Sequence, residues 1–283
     1  MIVSIESAIE EGAESLRKGA VNEARREAGS LLAHVLDRDR GFVIAHASDS
    51  LADAQYHDFH RLISRRRRGE PLQYITGHRD FFKLGFEVSP DVLIPRPETE
   101  LIVEAVLELC KDDPAPFIAD IGTGSGCIAI SVLHELPAAV AVATDISPAA
   151  LKVAQRNAER HGVQERLRLV ESDCFAAVSL TNPFSLIASN PPYVSEAELE
   201  LVPREVRFEP RAALAGGPDG LAIIRRLLSE ARPFIRPGGY LVFEIGFGQS
   251  EPVEKLIDRR VWKLIEIRRD LQGIPRTFVL LAR

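Results

Sequence analysis

The sequence predicts an α/β fold: a seven-stranded, mostly parallel sheet with helices on both faces and an antiparallel last strand, preceded by a small helical domain. Three observations predict it. From residue 116 onward, apolar runs of strand length alternate with segments of helical period, a pattern that builds a parallel sheet between two helical layers. The last two runs, "WKLIEIRR" and "RTFVLLAR", have no helix between them, so one must run antiparallel at the end of the sheet. The first 70 or so residues carry only helical spacing.

Each element has a local reason. Ile5, Ala8, Ile9, Ala13 and Leu16 recur at helical spacing, and "NEARREAGSLLAHVL" repeats the pattern with Asn22 as its start signal. The helical stretch stops in "SRRRRGEP", at Gly69 and Pro71. Its basic run Arg65–Arg68 reads as a solvated helix end favoured by the macrodipole, ahead of an RNA contact. Residues 1–85 hold 13 Lys/Arg and 13 Asp/Glu, so this part is neutral and the acidity lies downstream. Residues 73–93, rich in aromatic and β-branched side chains and broken by Gly77 and Gly85, predict a β-hairpin linker. The expected division is therefore 1–72 helical, 73–93 linker and 94–283 α/β. A helix opens near Pro97 with Glu98 and Glu100 in its first turn. The strands expected after it are "FIADI", "AVAVATDI", "LRLVES", "FSLIAS" and "GYLVFEI", followed by the final pair. "CIAISVLHEL", "PAALKVAQRNAERHG", "LAIIRRLLSEARPFI" and "SEPVEKLIDR" are the helices among them.

At 283 residues and 46% hydrophobic, the chain can bury a sizeable core. A net charge of −6 argues against a protein that tracks along bare DNA. Cys110, Cys127 and Cys174 show no CxxC spacing, which points to a reducing, cytoplasmic setting without a structural zinc. The N-terminus is acidic and amphipathic, unlike a secretory signal, and no apolar run approaches the ~20 residues of a membrane helix. A soluble protein with no metal site is expected.

"FIADIGTGSGCIAIS" sets Gly122, Gly124 and Gly126, with Thr123 and Ser125 between them, at a strand-to-helix turn. Glycine permits the tight turn and a close ligand approach. Asp145 ends the next strand, where a carboxylate meets vicinal ribose hydroxyls. A nicotinamide fingerprint wants a sixth-position glycine, and Cys127 stands there. GxGxG preceded by Asp120 suits S-adenosylmethionine better, because that ligand has no pyrophosphate and carries ammonium and sulfonium charges. Asp173 and Cys174 follow the third strand, bordering an adenine. Phe175 is either an adenine wall or a plug at the sheet edge.

"NPPY" follows the fourth strand, at the same end of the sheet. Pro191 and Pro192 hold the chain extended and lack N–H groups, leaving nearby carbonyls free to accept. Asn190 adds a side-chain carbonyl, and two fixed acceptors suit a planar –NH2 group. Tyr193 can pack flat against a planar substrate. The chemistry this suits is methyl transfer to an amide or amino nitrogen, whose delocalised lone pair needs orientation.

These residues resemble the bacterial release-factor glutamine methyltransferases of the HemK/PrmC family. The resemblance rests on "QYITG", "LIPRPETE", "DIGTGSG", "SNPPY", "FEPRAALAGGPDGL", "EIGFGQ" and "DLQGIPR". It implies a class I S-adenosylmethionine-dependent methyltransferase of Rossmann-like fold. Its substrate would be the Gly-Gly-Gln glutamine of class I peptide chain release factors. It also implies cofactor binding by Gly122, Thr123, Gly124, Ser125, Gly126, Asp145, Cys174 and Asn190. Asn190, Pro191, Pro192 and Tyr193 would form the catalytic and glutamine-binding element. Family members often carry a larger residue at position 174. Arg96 and Glu98 match the pattern without a chemical role visible in the sequence, and Glu244 either faces the site from the end of the fifth strand or caps a turn, the structural role being favoured. Transfer is expected to be direct and in line. One rival is a DNA amino-methyltransferase acting on adenine or cytosine, which shares the NPPY acceptors. A second is a non-catalytic adaptor that keeps the cofactor fold for binding only, against which the intact glycine loop and NPPY argue. The neutral helical domain suits a protein partner better than a nucleic acid.

Overall fold

The computed structural model describes residues 3–179 and 181–283. The chain divides into two units, Met1–His78 with Pro203–Phe208, and Arg79–Val202 with Glu209–Arg283.

The first unit is helical: α1 (Ile5–Lys18), α2 (Ala24–Leu36), α3 (Arg40–Ala45), α4 (Asp53–Arg67) and α5 (Leu72–Thr76). Ser4 caps α1 by accepting from Ser7 N at 3.2 Å. Ile5, Ala8, Ala13 and Leu16 turn one face inward against Leu31, Leu32, Phe59 and Ile63. Each of the large side chains contributes about 1.5–3 kcal/mol by leaving water. α2 starts at Ala24, without a side-chain cap, so Asn22 is not its cap. The basic run is the end of a helix with acidic partners: Arg65 pairs with Glu70, and buried Arg66 with Glu27 and Glu205.

The expected hairpin is present but shorter than the stretch 73–93. Residues 72–76 are helical, and only β1 (His78–Phe81) and β2 (Leu84–Glu87) pair. Local stop signals outweigh β-propensity here: Pro71 precedes the helical turn and Gly77, at φ 69°, closes it in the left-handed conformation. Tyr74 and Ile75 are buried from that turn.

The second unit continues with a 3₁₀ turn, Pro97–Thr99, and α6 (Glu100–Cys110). β3 (Phe117–Ile121), α7 (Cys127–Glu135), β4 (Val140–Asp145), α8 (Pro148–Arg160), β5 (Leu167–Glu171) and β6 (Phe184–Ser189) follow. The short α9 (Glu196–Leu199) and α10 (Arg211–Leu214) lead to α11 (Ala222–Glu230) and β7 (Ile235–Glu244). α12 (Ser250–Leu256), β8 (Trp262–Arg269) and β9 (Pro275–Ala282) complete the chain. The seven strands of the large sheet lie in the order β5-β4-β3-β6-β7-β9-β8. β9 slots between β7 and β8 antiparallel to both, and the other adjacent pairs are parallel. The final strand is antiparallel as expected, but it lies one place in from the edge, which β8 occupies, and not at the end of the sheet.

Alternation along each strand feeds two cores. Ile118, Leu186 and Val242 pack with Ile102, Val106 and Ile130 on one face. Ala119, Ile187, Leu241 and Phe243 pack with Ile224, Leu227 and Trp262 on the other. Strand order reverses between β3 and β6, so the loops after these strands flank a crevice at the carboxyl edge of the sheet, where open α/β sheets bind ligands. Among the described residues, no helix is long and apolar enough to cross a membrane.

Candidate active site

A cavity of about 300 Å³ occupies that crevice. Gly122–Ser125, Asp145, Cys174 and Asn190–Pro192 all line it, so the structure gathers the glycine loop, the acid and the proline element in one place. Gly126 and Tyr193 stand just behind the wall and do not line it themselves.

The glycine loop is held by β4. Gly122 N and Thr123 N both donate to Thr144 O, at 2.9 and 2.8 Å, and Gly124 N donates to Asp145 Oδ2 at 2.9 Å. Gly122, Gly124 and Gly126 all have positive φ, at 75°, 55° and 84°, which disfavours any side chain there. Their surroundings differ. A Cβ at Gly122 or Gly124 would meet nothing within 4 Å, so the space above them is open to a ligand. At Gly126 it would stand 2.7 Å from Ile130 Cδ1 and 3.2 Å from Ala154 Cβ of α8, so this glycine serves the packing of α7 against α8.

Beneath the loop, Asp120 is fully buried and accepts from Thr123 Oγ1 (2.7 Å) and Ala129 N (3.2 Å). Burial pushes its carboxyl up to about 6. Its Oδ1 has no partner among the described residues. Asp145 Oδ1 accepts from Ser147 N at 2.9 Å, so each Asp145 oxygen is oriented by one backbone donor and keeps a further acceptor site. Burial raises its carboxyl, opposed by those backbone donors. The next residue, Ile146, lines the cavity and is 59% exposed, an apolar surface beside the acid that sequence reasoning passed over.

Cys174 reaches the cavity from a left-handed backbone, φ 49°, its carbonyl held by Ser172 Oγ at 2.9 Å. Burial pushes its thiol up to about 11, so it stays neutral. Phe175 is the plug: it is buried and stacks on Phe234, ring centroids 4.9 Å apart.

On the other side of the crevice, Ser189 Oγ ties β6 to β3 through Ile121 O (2.7 Å). Asn190 Nδ2 then donates to Thr99 Oγ1 (2.9 Å), which donates to Glu244 Oε2 (2.7 Å). Tyr193 OH donates to Glu244 Oε1 (3.1 Å). Glu244 is 1% exposed, and burial pushes its carboxyl up to about 7 against the hydrogen bonds that stabilise the anion. The Tyr193 phenol is raised by burial and by the Glu244 charge, so it remains protonated. This tyrosine, expected to lie flat on a planar substrate, is anchored through its hydroxyl at the end of β7.

Sequence reasoning missed Thr99 and Gln249 as parts of this cluster, and it favoured a structural role for Glu244 over one facing the site. Gln249 Nε2 donates to Tyr193 O at 2.9 Å, and its Oε1 accepts from Gly246 N at 2.8 Å. A Cβ on Gly220 would stand 2.3 Å from Tyr193 O, so "GGPDGL" packs its backbone directly on the NPPY segment. Arg96, which showed no role in the sequence, pairs with buried Glu209 at 2.5 Å. Glu209 also accepts from Ile94 N at 3.2 Å. That tie joins the 91–95 segment to the 210–215 segment, and both line the cavity. The available signal was positional: "LIPRPETE", "GGPDGL" and "EIGFGQ" carry polar side chains in irregular segments between core elements.

S-adenosylmethionine fits the donor set. Open space over two glycines, a pre-oriented carboxylate at Asp145 and an apolar surface at Ile146 offer places for a charged amino-acid end, ribose hydroxyls and a flat base.

Residues 7–77 match the PrmC N-terminal domain family, and residues 99–207 match the methyltransferase small domain family. The chain is 46% identical over 283 residues to a release factor glutamine methyltransferase of Moorella thermoacetica, with 99% of each chain covered. It is 40% identical over 278 residues to another of that description from Koribacter versatilis, with 98% of each covered. Among solved structures, the hMettl16 catalytic domain superposes with a TM-score of 0.59 at 16% identity, over 78% of this chain and 81% of that one. A methyltransferase from Pyrococcus furiosus gives 0.51 at 18%, over 71% and 90%. At these identities the structural likeness establishes the methyltransferase fold alone.

Proposed function

The chain belongs to the release factor glutamine methyltransferase family, and from that premise we propose that it methylates the side-chain amide nitrogen of a glutamine, that of the Gly-Gly-Gln motif of class I peptide chain release factors. The observation that carries the reading is the placement of Asn190. Its amide lines the cavity across the crevice from the glycine loop, with Nδ2 committed to Thr99 and Oδ1 remaining as an acceptor.

Bound S-adenosylmethionine supplies an electrophilic methyl on a sulfonium and leaves as S-adenosylhomocysteine. Gly122, Thr123, Gly124, Ser125, Asp145 and Cys174 hold it, with Gly126 shaping the loop and Asn190 at the reacting end. Asn190 Oδ1 and a carbonyl of the Pro191-Pro192 segment accept the two N–H groups of the substrate amide. This orients a nitrogen whose lone pair is delocalised and favours the positive charge that grows on it during attack. Tyr193, pinned through its hydroxyl by Glu244 and through its backbone carbonyl by Gln249, backs the Pro191-Pro192 segment and holds it against the glutamine pocket. The methylated nitrogen is cationic and releases its proton to water without a strong base.

Residues 1–72 serve as the substrate-recognition domain and 94–283 as the catalytic domain, in a cytoplasmic enzyme that binds neither membrane nor stable nucleic acid. The test is to incubate the protein with purified release factor and isotopically labelled S-adenosylmethionine, then map the label by mass spectrometry. A methyl group on the Gly-Gly-Gln glutamine is expected. A label on another residue, or on duplex DNA bound tightly at moderate salt, contradicts the assignment and favours a DNA amino-methyltransferase.

A further inference from the structure

The hydroxyl of Thr99 bonds across the fold and not within its own helix. Thr99 ends the 3₁₀ turn Pro97–Thr99 and leads directly into α6 with a helical backbone, φ −68° and ψ −19°, so its hydroxyl is not set to accept a capping bond from the first turn. It makes no such bond. The side chain, 1% exposed, spans between Glu244 and Asn190 instead.

The direction of this chain of hydrogen bonds follows from its end. An ionised carboxylate can only accept, so Thr99 must spend its single hydroxyl proton on Glu244 Oε2. Its oxygen then faces Asn190 as an acceptor and takes a proton of Nδ2. An asparagine whose amino side is held this way presents its carbonyl side to the cavity. Tyr193 reinforces the same end, because its hydroxyl donates to the other Glu244 oxygen.

We infer that Thr99 and Glu244 are positioning residues that fix which face of the Asn190 amide meets the substrate, the Glu244 carboxylate acting through the Thr99 hydroxyl from outside the reacting centre. This rests on the reading of Asn190 as the acceptor for the substrate amide. If Glu244 becomes a donor, the order reverses: Thr99 can donate to Asn190 Oδ1, and Asn190 turns –NH2 toward a substrate that is itself –NH2. Two donors then face each other, and the nitrogen loses its alignment.

Titration of Glu244 has the same effect as replacing it. The groups that face it are the Thr99 and Tyr193 hydroxyls, the carboxylate of Glu98, the guanidinium of Arg276 and the thiol of Cys127. Glu98 opposes its ionisation, Arg276 favours it, and Cys127, pushed up to about 12 mainly by burial, stays neutral. Turnover should therefore fall as pH drops through about 7, the region to which burial pushes this carboxyl.

The experiment compares wild type with Thr99→Val, Thr99→Ser, Glu244→Gln and Asn190→Ala. Turnover on a purified class I release factor is measured against pH. The affinity of the S-adenosylhomocysteine-loaded enzyme for release factor, and of the free enzyme for S-adenosylmethionine, are measured by calorimetry. Thr99→Val and Glu244→Gln should each lower kcat about tenfold, the scale of one misdirected hydrogen bond, with cofactor affinity held within about twofold. Both should weaken release-factor binding and abolish the acidic limb near pH 7, and Thr99→Ser should restore both. If Thr99→Val does not fold, Glu244→Gln, which keeps the side chain's size but turns one of its two acceptors into a donor, decides alone. An acidic limb retained in Thr99→Val or Glu244→Gln, or kcat unchanged in Glu244→Gln, overturns the inference while a crippled Asn190→Ala leaves the amide-clamp reading standing. An unimpaired Asn190→Ala overturns the reading and the inference together.

Discussion

The two walls of the cavity are built by different means. The wall after β3 and β4 is mostly backbone: Gly122, Thr123 and Gly124 donate their N–H groups to Thr144 and Asp145, residues at the end of a neighbouring strand. The wall after β6 is mostly side chain. Thr99, Asn190, Tyr193, Glu244 and Gln249 come from three separate stretches and meet only in the fold. A backbone cradle needs particular residues only where a side chain would block it, and a side-chain cluster needs every member. The first wall should therefore govern cofactor affinity and the second the rate of transfer.

The largest break in that division is expected at Asn190. Asn190→Ala should reduce kcat on release factor roughly 100-fold, the scale for removing one preorganised group at a reacting centre, with little change in cofactor affinity. Steady-state kinetics beside calorimetry checks it. Next comes Asp145→Asn, which keeps the side chain's shape but removes the charge and converts one acceptor into a donor. S-adenosylmethionine should bind about 10-fold more weakly, and kcat at saturating cofactor should be nearly unchanged. A smaller effect is expected at the tie that joins the two covering segments. Arg96→Met leaves the buried Glu209 carboxylate with the Ile94 N–H alone among the described residues, loosens the two covering segments and should raise the cofactor dissociation constant about threefold.

The smallest effect sharpens the comparison from beneath. Each wall rests on a buried carboxyl raised by burial, Asp120 to about 6 and Glu244 to about 7. In the folded state both hold protons that an unfolded chain releases near pH 4, so folded protein binds more protons between about 4 and 7. Their contribution to stability is therefore greatest at the acid end of this window and is lost as pH rises through it. Chemical denaturation at several pH values should show Glu244→Gln gaining stability relative to wild type as pH rises toward 7. A constant difference across the window would contradict the buried-anion account of Glu244.

What could be read from the sequence follows the same division. "DIGTGSG", Asp145 and "SNPPY" stand at the ends of strands whose apolar runs mark them, and the structure brings them to one cavity. The antiparallel direction of the final strand was equally legible, because no helix precedes β9, but its insertion between β7 and β8 was not. Thr99, Glu244 and Gln249 were not legible as a group. Their bonds cross sequence gaps of 145 residues for Thr99–Glu244 and 56 for Tyr193–Gln249, and no local periodicity reports such contacts. The hairpin over 73–93 was overdrawn for another reason: Pro71 and Gly77 enclose a turn too short for propensity to decide, and they made residues 72–76 helical.

The division between walls is tested most directly by combining one change from each. In a cycle of wild type, Asp145→Asn, Asn190→Ala and the double variant, cofactor affinity and kcat are measured on the same preparations. The double variant should show the weakened affinity of Asp145→Asn and the lowered kcat of Asn190→Ala, with no coupling in either quantity beyond about 0.5 kcal/mol. If Asn190→Ala alone weakens cofactor binding as much as it slows transfer, the walls are not separate and the account fails.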